Sequence, residues 1–539
     1  MKLQIQDELA YRLNRNFDRL EREEYCPESV FASTDNNQQW PGDYPGRVIL
    51  DLVQLVRVTG RRAKHLDSIL KALPKHFNAR GYLGEVLPEG IFDEQQLAGH
   101  GWLVAALLAY YEFSGEEQSL ALARTMACEL YKPLLGRMIS HYTIDPKGTL
   151  QGKHSGTRME SIRNGWRLST DVGCAFIALE GLVPARRLLK ESWISALIEE
   201  MTECFAGLDL VAVSAQTHAT LTTARNLLAW HDQAGGESLL VAAERLYRLY
   251  REQAMTENYA NYNWFNRPEW TEPCAIVDSF IIAMELWKKT GRCEYIQDAH
   301  SIYYNALGYA QKPHGGFGCD CCVGAGGPDL CNQVYDVTWC CNMRGAVGLA
   351  YAAQHALLVD EGALTLLFPF SFRVEELESS GVTIMECSTG YPREGCFKIK
   401  IQTAPTLGPL SLRWFMPSWV DLNSVKILVN NELMTPVNDA PFWSVPIMPG
   451  QMSEIDARFD MPTHQESRRV SGSAQELYRY RRGPLVLAER QRVDSTGKPV
   501  TAEESAQLQP FNDIIYLSDD EAMKDRRHVL FSKMIKFVA

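Results

Sequence analysis

No lysine- and arginine-rich run long enough to neutralise a phosphate backbone appears in this sequence, and no stretch reaches the ~18 uninterrupted apolar residues that a bilayer crossing requires. The best candidate for a span, 275–287, is broken by Asp278 and Glu285. The first absence removes the electrostatic footprint of a nucleic-acid binder, and 54 basic against 66 acidic residues, a net charge of −12, point the same way. The second removes a membrane-spanning role. Residues 1–24 are rich in Asp, Glu and Arg and lack the apolar core of about 7 to 15 residues that marks a secretory signal, so a cytoplasmic protein is expected. In that setting the 14 cysteines read as thiols or metal ligands and not as disulfides. Low-complexity linkers are also missing, which implies that whatever domains the chain forms dock closely. With 539 residues, 46% of them apolar, two or three domains are expected.

What is present in the first two thirds is a repeat. An apolar-periodic segment runs to a glycine stop, and a polar-started second segment follows. Examples end at Thr59-Gly60, Ser114-Gly115 and Thr290-Gly291, with less regular stops at Gly181, Gly236 and Gly362. Glycine after the last turn supplies the left-handed backbone that closes a helix. Stops 55 to 71 residues apart describe about six helical hairpins, none large enough to bury its own apolar face, so they must stack in an open solenoid or a closed ring. Six is the number that closes an (α/α)6 toroid. Beyond Gly362 the period shortens to alternating segments at 364–372, 382–387, 397–402, 410–415, 424–429, 442–447, 476–480 and 485–488, which predict strands. The expected organisation is a helical toroid over 1–360, a β-sandwich over 361–470, and a second small β-sandwich or β extension over 471–539.

Two half-sites carry candidate chemistry. Glu272-Pro273-Cys274 stands where a periodic helix begins, and the adjacent pair Cys340-Cys341 stands where another does. Residues two apart cannot share a metal from a helix interior, because their side chains diverge by about 200°. From the irregular turn entering a helix they can, and Pro273 suits the first helical position. One carboxylate and three thiols suit Zn2+. A thiol beside a dication at a helix N-terminus ionises near neutral pH and becomes a nucleophile. The same residues also fit a structural zinc site, or buried apolar cysteines with no metal.

The ordered pieces Ala98-Gly99-His100, Thr217-His218-Ala219, Glu272-Pro273-Cys274, Trp339-Cys340-Cys341, Gly390-Tyr391-Pro392-Arg393-Glu394-Gly395, Pro417-Ser418-Trp419 and Arg482-Gly483-Pro484-Leu485-Val486 resemble the β-L-arabinofuranosidases of glycoside hydrolase family 127 and their relatives in family 146. The resemblance spans about residues 40 to 487. It implies a six-hairpin toroid followed by β-sandwich domains. It further implies zinc held by Glu272, Cys274, Cys340 and Cys341, with Cys340 as the attacking thiolate of a retaining hydrolysis that releases terminal β-L-arabinofuranose or a related sugar. Retaining chemistry needs a general acid and base. The resemblance points to Glu257 for it, fifteen residues before Glu272, with Glu269 as a substitute, and it makes His100 and His218 sugar-binding residues. Trp40, Tyr262 and Trp264 are candidate stacking faces. The partner would be an arabinofuranoside-type glycan or oligosaccharide, and a homodimer is a candidate assembly.

The chain departs from the family after its cysteine pair, where Asn342-Met343-Arg344 replaces two prolines and an asparagine. A second cluster, Cys319, Cys321, Cys322 and Cys331, offers a competing pair, read as a separate structural zinc site or a redox-sensitive loop. Cys321-Cys322 leads into Val323-Gly324-Ala325-Gly326-Gly327, a loop and not a helix, so 340–341 is the preferred pair. Two rival readings stand beside the hydrolase: an α/α-toroid epimerase or lyase, and a non-catalytic glycan-binding or assembly protein with structural zinc.

Overall fold

The computed structural model describes residues 3–32, 35–138, 156–323, 329–332, 336–360, 362–377, 380–405, 408, 410–439, 441–469, 476–492, 509–510 and 533–536. Among them are twelve α-helices of seven residues or more: α1 Asp7–Leu20, α2 Asp43–Thr59, α3 Leu66–Ala72, α4 Glu94–Ser114, α5 Glu117–Met126, α6 Leu179–Leu189, α7 Ser192–Ala206, α8 Thr217–Ala234, α9 Glu237–Gln253, α10 Pro273–Thr290, α11 Cys293–Ser301 and α12 Cys341–Gln354. Helices α2, α4, α6, α8, α10 and α12 pack in that order, and α12 returns to α2, so the ring is closed. The remaining six form an outer layer. Helices α3, α5, α7, α9 and α11 each cover the inner helix that precedes them, whereas α1 covers α12 and joins the start of the chain to the last member of the ring.

Sequence pattern divides the two layers. Every residue from Glu94 to Leu108 of α4 is buried, as an inner helix packed on all sides requires. Outer helix α9 buries Leu240, Ala243, Leu246, Tyr247 and Tyr250, one stripe at helical spacing, and turns its charged residues outward. Gly60, Gly115 and Gly291 close α2, α4 and α10 with φ of 70°, 76° and 69°, as expected of C-terminal stops.

Two expected stops serve other ends. Gly181 lies inside α6, where a Cβ would stand 2.9 Å from both the Gly101 carbonyl oxygen and the Val104 Cβ, so it marks a close helix crossing. Gly362 turns a β-hairpin between Leu357–Asp360 and Ala363–Leu366, and α12 ends at Gln354, short of the helix expected to run to Asp360.

After the ring, a seven-stranded and a five-stranded sheet face one another through Phe397 and Trp414, whose ring centroids are 5.8 Å apart. The expected single strand 364–372 is split between Ala363–Leu366 in one sheet and Phe372–Leu377 in the other. Strand Gln4–Ile5 from the chain's start extends the larger sheet beside Phe372 and Arg373. A third sheet joins Thr463–Arg469, Glu476–Arg482, Leu485–Arg492 and Lys533–Lys536 to Asp329–Asn332 and Asp320–Val323, which come from between α11 and α12. Much of the expected C-terminal extension, 493–508, 511–532 and 537–539, lies outside the described residues. Among the described residues no helix is long and apolar enough to cross a membrane.

Glycine makes the inner ring tight. A Cβ on Gly46 of α2 would stand 2.4 Å from the backbone nitrogen of Leu103 in α4, and nothing there can yield except the helices themselves. Gly46→Ala is expected to lower unfolding stability by about 2 to 3 kcal/mol through overpacking. Gly115→Ala, which meets nothing within 4 Å but has a left-handed backbone, is expected to cost only about 1 kcal/mol. Urea titration of the two variants measures the contrast.

Candidate active site

Closure of the ring gathers helix N-termini at one mouth. A cavity of about 510 Å³ opens there, lined by Asp43 at the start of α2, Gln216 and His218 at the start of α8, Glu272 immediately before α10, and Cys340 and Cys341 at the start of α12. Such a volume falls within the ~300 to 1,000 Å³ typical of small-molecule sites. Trp40, Trp270 and Trp339 add aromatic surface, and Trp339 is 51% exposed at its edge.

Glu272 is the N-cap residue of α10 with extended backbone (φ −137°, ψ 115°), which frees it and Cys274 from helical divergence. Cys340 holds the same place before α12 (φ −143°, ψ −60°). The three sulfurs of Cys274, Cys340 and Cys341 lie within 4.8 Å of one another, with Cys340 and Cys341 3.3 Å apart. A tetrahedral ion with ~2.3 Å bonds spaces its sulfurs ~3.8 Å apart, so these donors fit one. Cys274 is fully buried and Cys340 half-buried, facing the cavity. Glu272 is anchored from both sides. Its backbone N–H donates to Asn261 Oδ1 at 2.9 Å, and the Asn263 amide, oriented to satisfy both its neighbours, donates to Glu272 Oε2 at 2.5 Å while accepting from Trp270 Nε1 at 2.9 Å.

The electrostatics single out Cys340. Hydrogen bonds from the Cys274 and Cys341 thiols hold it below the ordinary thiol range against the effect of burial, and Arg47 adds to the lowering. Burial pushes Cys274 up to about 11 and Cys341 well above its usual value. Arg47 Nη1 donates to Cys274 Sγ at 3.7 Å, its Nε sits 2.9 Å from both carboxylate oxygens of Asp43, and its guanidinium lies 4.2 Å from the Trp102 ring centroid.

His218 stacks in parallel with Trp102 at 5.9 Å, and its Nδ1 is 3.1 Å from Asp278 Oδ2. Asp278 also receives Thr222 Oγ1 at 2.8 Å, Arg225 Nε at 2.9 Å and Arg344 Nη2 at 2.5 Å. Burial would raise the Asp278 carboxyl, but Arg344 and Arg225 overcome it and hold the group far below the usual carboxylate range. With Nδ1–H donated to that carboxylate, the buried Nε2 of His218, which has no hydrogen-bond partner among the described residues, is left as an acceptor toward the cavity.

The sequence-derived residues thus divide. The buried Cys274 joins the sulfurs of Cys340 and Cys341, and Glu272, Cys340, Cys341 and His218 line one cavity. His100 does not line it: Nδ1 lies 2.8 Å from the Gln96 carbonyl oxygen, Nε2 accepts from the Leu83 N–H at 3.1 Å, and burial lowers the ring to about 4, so this histidine is a neutral core pin. Glu257 does not line it either. Its carboxylate lies 3.9 Å from Arg479 Nη1, which also donates to the Glu257 carbonyl at 2.8 Å, so the residue fastens the third sheet to the ring. Glu269 pairs with Arg267 near the surface. Trp40 lines the cavity; Trp264 is buried against Trp270, and Tyr262 lies off the lining.

Sequence reasoning set Cys319 in a separate cluster and missed Asp171 and the platforms Trp270 and Trp339; all four line the cavity. Only Trp339 carried a signal, its place beside the cysteine pair. Of the second cysteine cluster, Cys321, Cys322 and Cys331 belong to the third sheet, where Cys321 and Cys331 are cross-strand neighbours, and residues 324–328 lie outside the described residues.

The fold is similar to that of three solved structures. A GH127 β-L-arabinofuranosidase from Geobacillus stearothermophilus T6 aligns with a TM-score of 0.66 at 14% identity, over 91% of this chain and 86% of that one. A second GH127 β-arabinofuranosidase gives 0.65 at 13% identity over 92% and 86%, and a structure described as a glycoside hydrolase gives 0.63 at 14% over 99% and 93%. At these identities the likeness establishes the shared architecture, ring and β domains together. No protein-family model matches the sequence, and no curated protein does.

Asp278 carries a test of the charge network behind the site. Asp278→Asn leaves the buried Arg344 uncompensated and takes from Arg225 one of its two carboxylates, the other being Glu180, and is expected to cost about 3 to 5 kcal/mol. Because the folded carboxyl is held below its ordinary value near 4, its stabilisation is present above that pH and is lost as pH falls toward the depressed folded value. Denaturant unfolding of parent and variant should therefore differ most at neutral pH and converge on acidification.

Proposed function

We propose that this protein is a retaining glycoside hydrolase that releases a terminal β-L-arabinofuranose or a closely related furanoside, with Cys340 as nucleophile in a zinc-dependent site. The observation that carries the reading is the meeting of Cys274, Cys340 and Cys341 within 4.8 Å at the mouth of the ring, with the hydrogen-bonded Cys340 sulfur facing a sugar-sized cavity. Similarity of the whole chain to GH127 β-L-arabinofuranosidase structures supports the same reaction class. Function does not follow from fold alone.

Glu272, Cys274, Cys340 and Cys341 are the residues that would hold the zinc ion, which would supply positive charge to keep the thiolates ionised. The remaining chemistry belongs to the side chains. The Cys340 sulfur attacks the anomeric carbon; the carbon–sulfur bond forms as the glycosidic carbon–oxygen bond breaks, and the departing oxygen takes a proton from a carboxyl group. Water then attacks the same carbon, gives its proton to that carboxylate and returns the thiolate. Among the carboxylates facing the cavity, Asp171 is buried and within electrostatic reach of Glu272, and we assign it the proton transfer. His218 Nε2 accepts from a sugar hydroxyl, and Trp40 and Trp339 offer apolar faces to the ring.

Turnover of an aryl β-L-arabinofuranoside tests this. Cys340→Ala should lower kcat by about 10⁴-fold or more while the protein stays folded and its zinc content is followed separately. Asp171→Asn should slow cleavage about 10²- to 10³-fold for a poor leaving group and far less for an activated one. Full activity in Cys340→Ala would remove that residue from the chemistry. Failure of zinc-loaded protein to cleave any of a panel of arabinosides and galactosides would overturn the hydrolase reading.

A further inference from the structure

Another cavity, of about 350 Å³, lies on the seam between the ring and the β region and shares no lining residue with the catalytic one. It is bounded by the start of α1, by Tyr303 and Tyr304 in the helical segment that follows α11, and by the turn between strands Val382–Thr389 and Cys396–Thr403. Helix α1 separates it from the sulfurs. Near its far end Asn16 Nδ2 donates to the Asn342 carbonyl, at the entrance of α12, at 3.2 Å, and Asp7 lies more than two turns earlier, about 14 Å along the helix. The cavity is therefore not an arm of the active site.

Backbone contacts fix its walls. The Gln6 N–H donates to the Ser371 carbonyl at 2.8 Å, which pins the start of α1 beside the larger sheet. In the turn, the N–H groups of Arg393 and Glu394 donate to the Gly390 carbonyl at 3.0 and 2.9 Å, and both of these charged side chains are exposed. A Cβ on Gly395 would collide with the Phe459 carbonyl oxygen, so glycine is what lets the turn lie this close to its neighbour.

Floor and rim differ in chemistry. The floor is aromatic: Tyr303 and Phe370 have centroids 5.0 Å apart, Tyr304 and Tyr391 5.2 Å apart, and all four residues are buried. The rim carries the exposed carboxylates of Asp7, Glu8 and Glu394, the Arg393 guanidinium, and the first N–H groups of α1, which receive no side-chain cap. Arg12 steadies Glu8 through one oxygen, Oε1, at 2.7 Å. On the wall, Ser371 Oγ and the Tyr391 hydroxyl are buried and have no hydrogen-bond partner among the described residues. A buried hydroxyl without a partner costs free energy, so this wall holds unused bonding capacity.

The mixture of groups decides the ligand class. An anion suits the helix start and Arg393 but meets three carboxylates, whereas a cation suits the carboxylates and the aromatic floor but meets the helix start and the guanidinium. A neutral hydroxyl can donate to a carboxylate and accept from an N–H through the same oxygen. A sugar adds apolar ring faces that lie against aromatic side chains. We propose that this cavity is a non-catalytic carbohydrate site, which takes a small neutral sugar with its ring on the aromatic floor and its hydroxyls on Glu8 and Glu394. The inference concerns binding at a separate place and stands apart from the hydrolytic reading.

Isothermal titration of the full-length protein with L-arabinose, D-xylose and D-galactose tests it, with saturation-transfer NMR to detect weak binding. At least one of these sugars is expected to bind with a Kd of about 10 mM or tighter. Glu8→Gln combined with Glu394→Ala removes two exposed carboxylates, a change with little effect on stability, and should weaken that binding about 10-fold through the loss of charge-assisted hydrogen bonds. His218→Ala, at the catalytic cavity, should leave it unchanged. Equal affinity in the parent and the Glu8/Glu394 variant, or loss of binding in His218→Ala alone, would place the sugar elsewhere and overturn the proposal. So would the absence of binding by all three sugars, or displacement of the bound sugar by phosphate or tetramethylammonium. Because no turnover is measured, a protein that cleaves no furanoside still decides the matter.

Discussion

Closure of α12 against α2 is the contact on which the rest of the molecule depends. The six inner helices alternate with outer ones, so they run parallel, and their N-termini arrive at the same end of the ring. An open solenoid of the same hairpins would leave the starts of α2 and α12 at opposite ends of the stack, and Arg47 would lie far from Cys340. In the closed ring Arg47, from the first inner helix, reaches the sulfur of Cys274 on the fifth, which meets Cys340 and Cys341 at the start of the sixth. Each inner N-terminus contributes partial positive charge, and a cavity at that end favours anions such as thiolates. The opposite end would favour cations.

Placing charge in such a ring has a cost that the network around Asp278 offsets. Arg47 and Arg344 both lie over the Trp102 ring, and Arg225 and Arg344 both end on Asp278. One carboxylate therefore neutralises Arg344, shares Arg225 with Glu180 and also orients His218. Losing either kind of partner would leave an uncompensated charge in a poorly solvated interior, the costly case for buried ion pairs. The same contacts fix which nitrogen of His218 faces the cavity. Stability and orientation are served by one group, because both require the Asp278 carboxylate to remain ionised where burial alone would protonate it.

Local signals in the sequence carried much of this arrangement. The glycines after α2, α4 and α10, the proline at the start of α10 and the apolar periodicity of the inner helices are features of short segments, and they gave the hairpin count and the two helix entrances at Glu272 and Cys340. Gly181 misled because a glycine that permits a close helix crossing looks the same in sequence as one that ends a helix; its role is set by Gly101 and Val104, nearly 80 residues earlier. Asp171 was missed, and Cys319 assigned to a separate cluster, for the same reason. Neither lies in a patterned segment, and each reaches the cavity by way of long-range pairing: the Gln216 N–H with the Val172 carbonyl for one, the segment 317–320 against Thr271 and Asn342 for the other. His100 and Glu257 show the converse. Their motif context was suggestive, but a core histidine with both nitrogens satisfied and a carboxylate set against Arg479 cannot be told from site residues without the contacts themselves.

The position of Glu257 also says something about how the β region and the ring depend on each other. Arg479 and Arg481 both donate to the Tyr259 hydroxyl, and the Asn305 side chain bonds to both Pro484 and Val486, so the third sheet is tied to the loop 255–263 and to the segment after α11. That loop contains Asn261 and Asn263, the two residues that hold Glu272 by its backbone and its carboxylate. The same sheet takes in 320–323, directly after Cys319. The β strands therefore set the loop that holds Glu272, while the ring sets the helix starts that present the three sulfurs. A site assembled from both regions can keep its spacing only if neither shifts against the other, which is a physical reason for a ring and β sheets to be docked this closely in a chain without linkers.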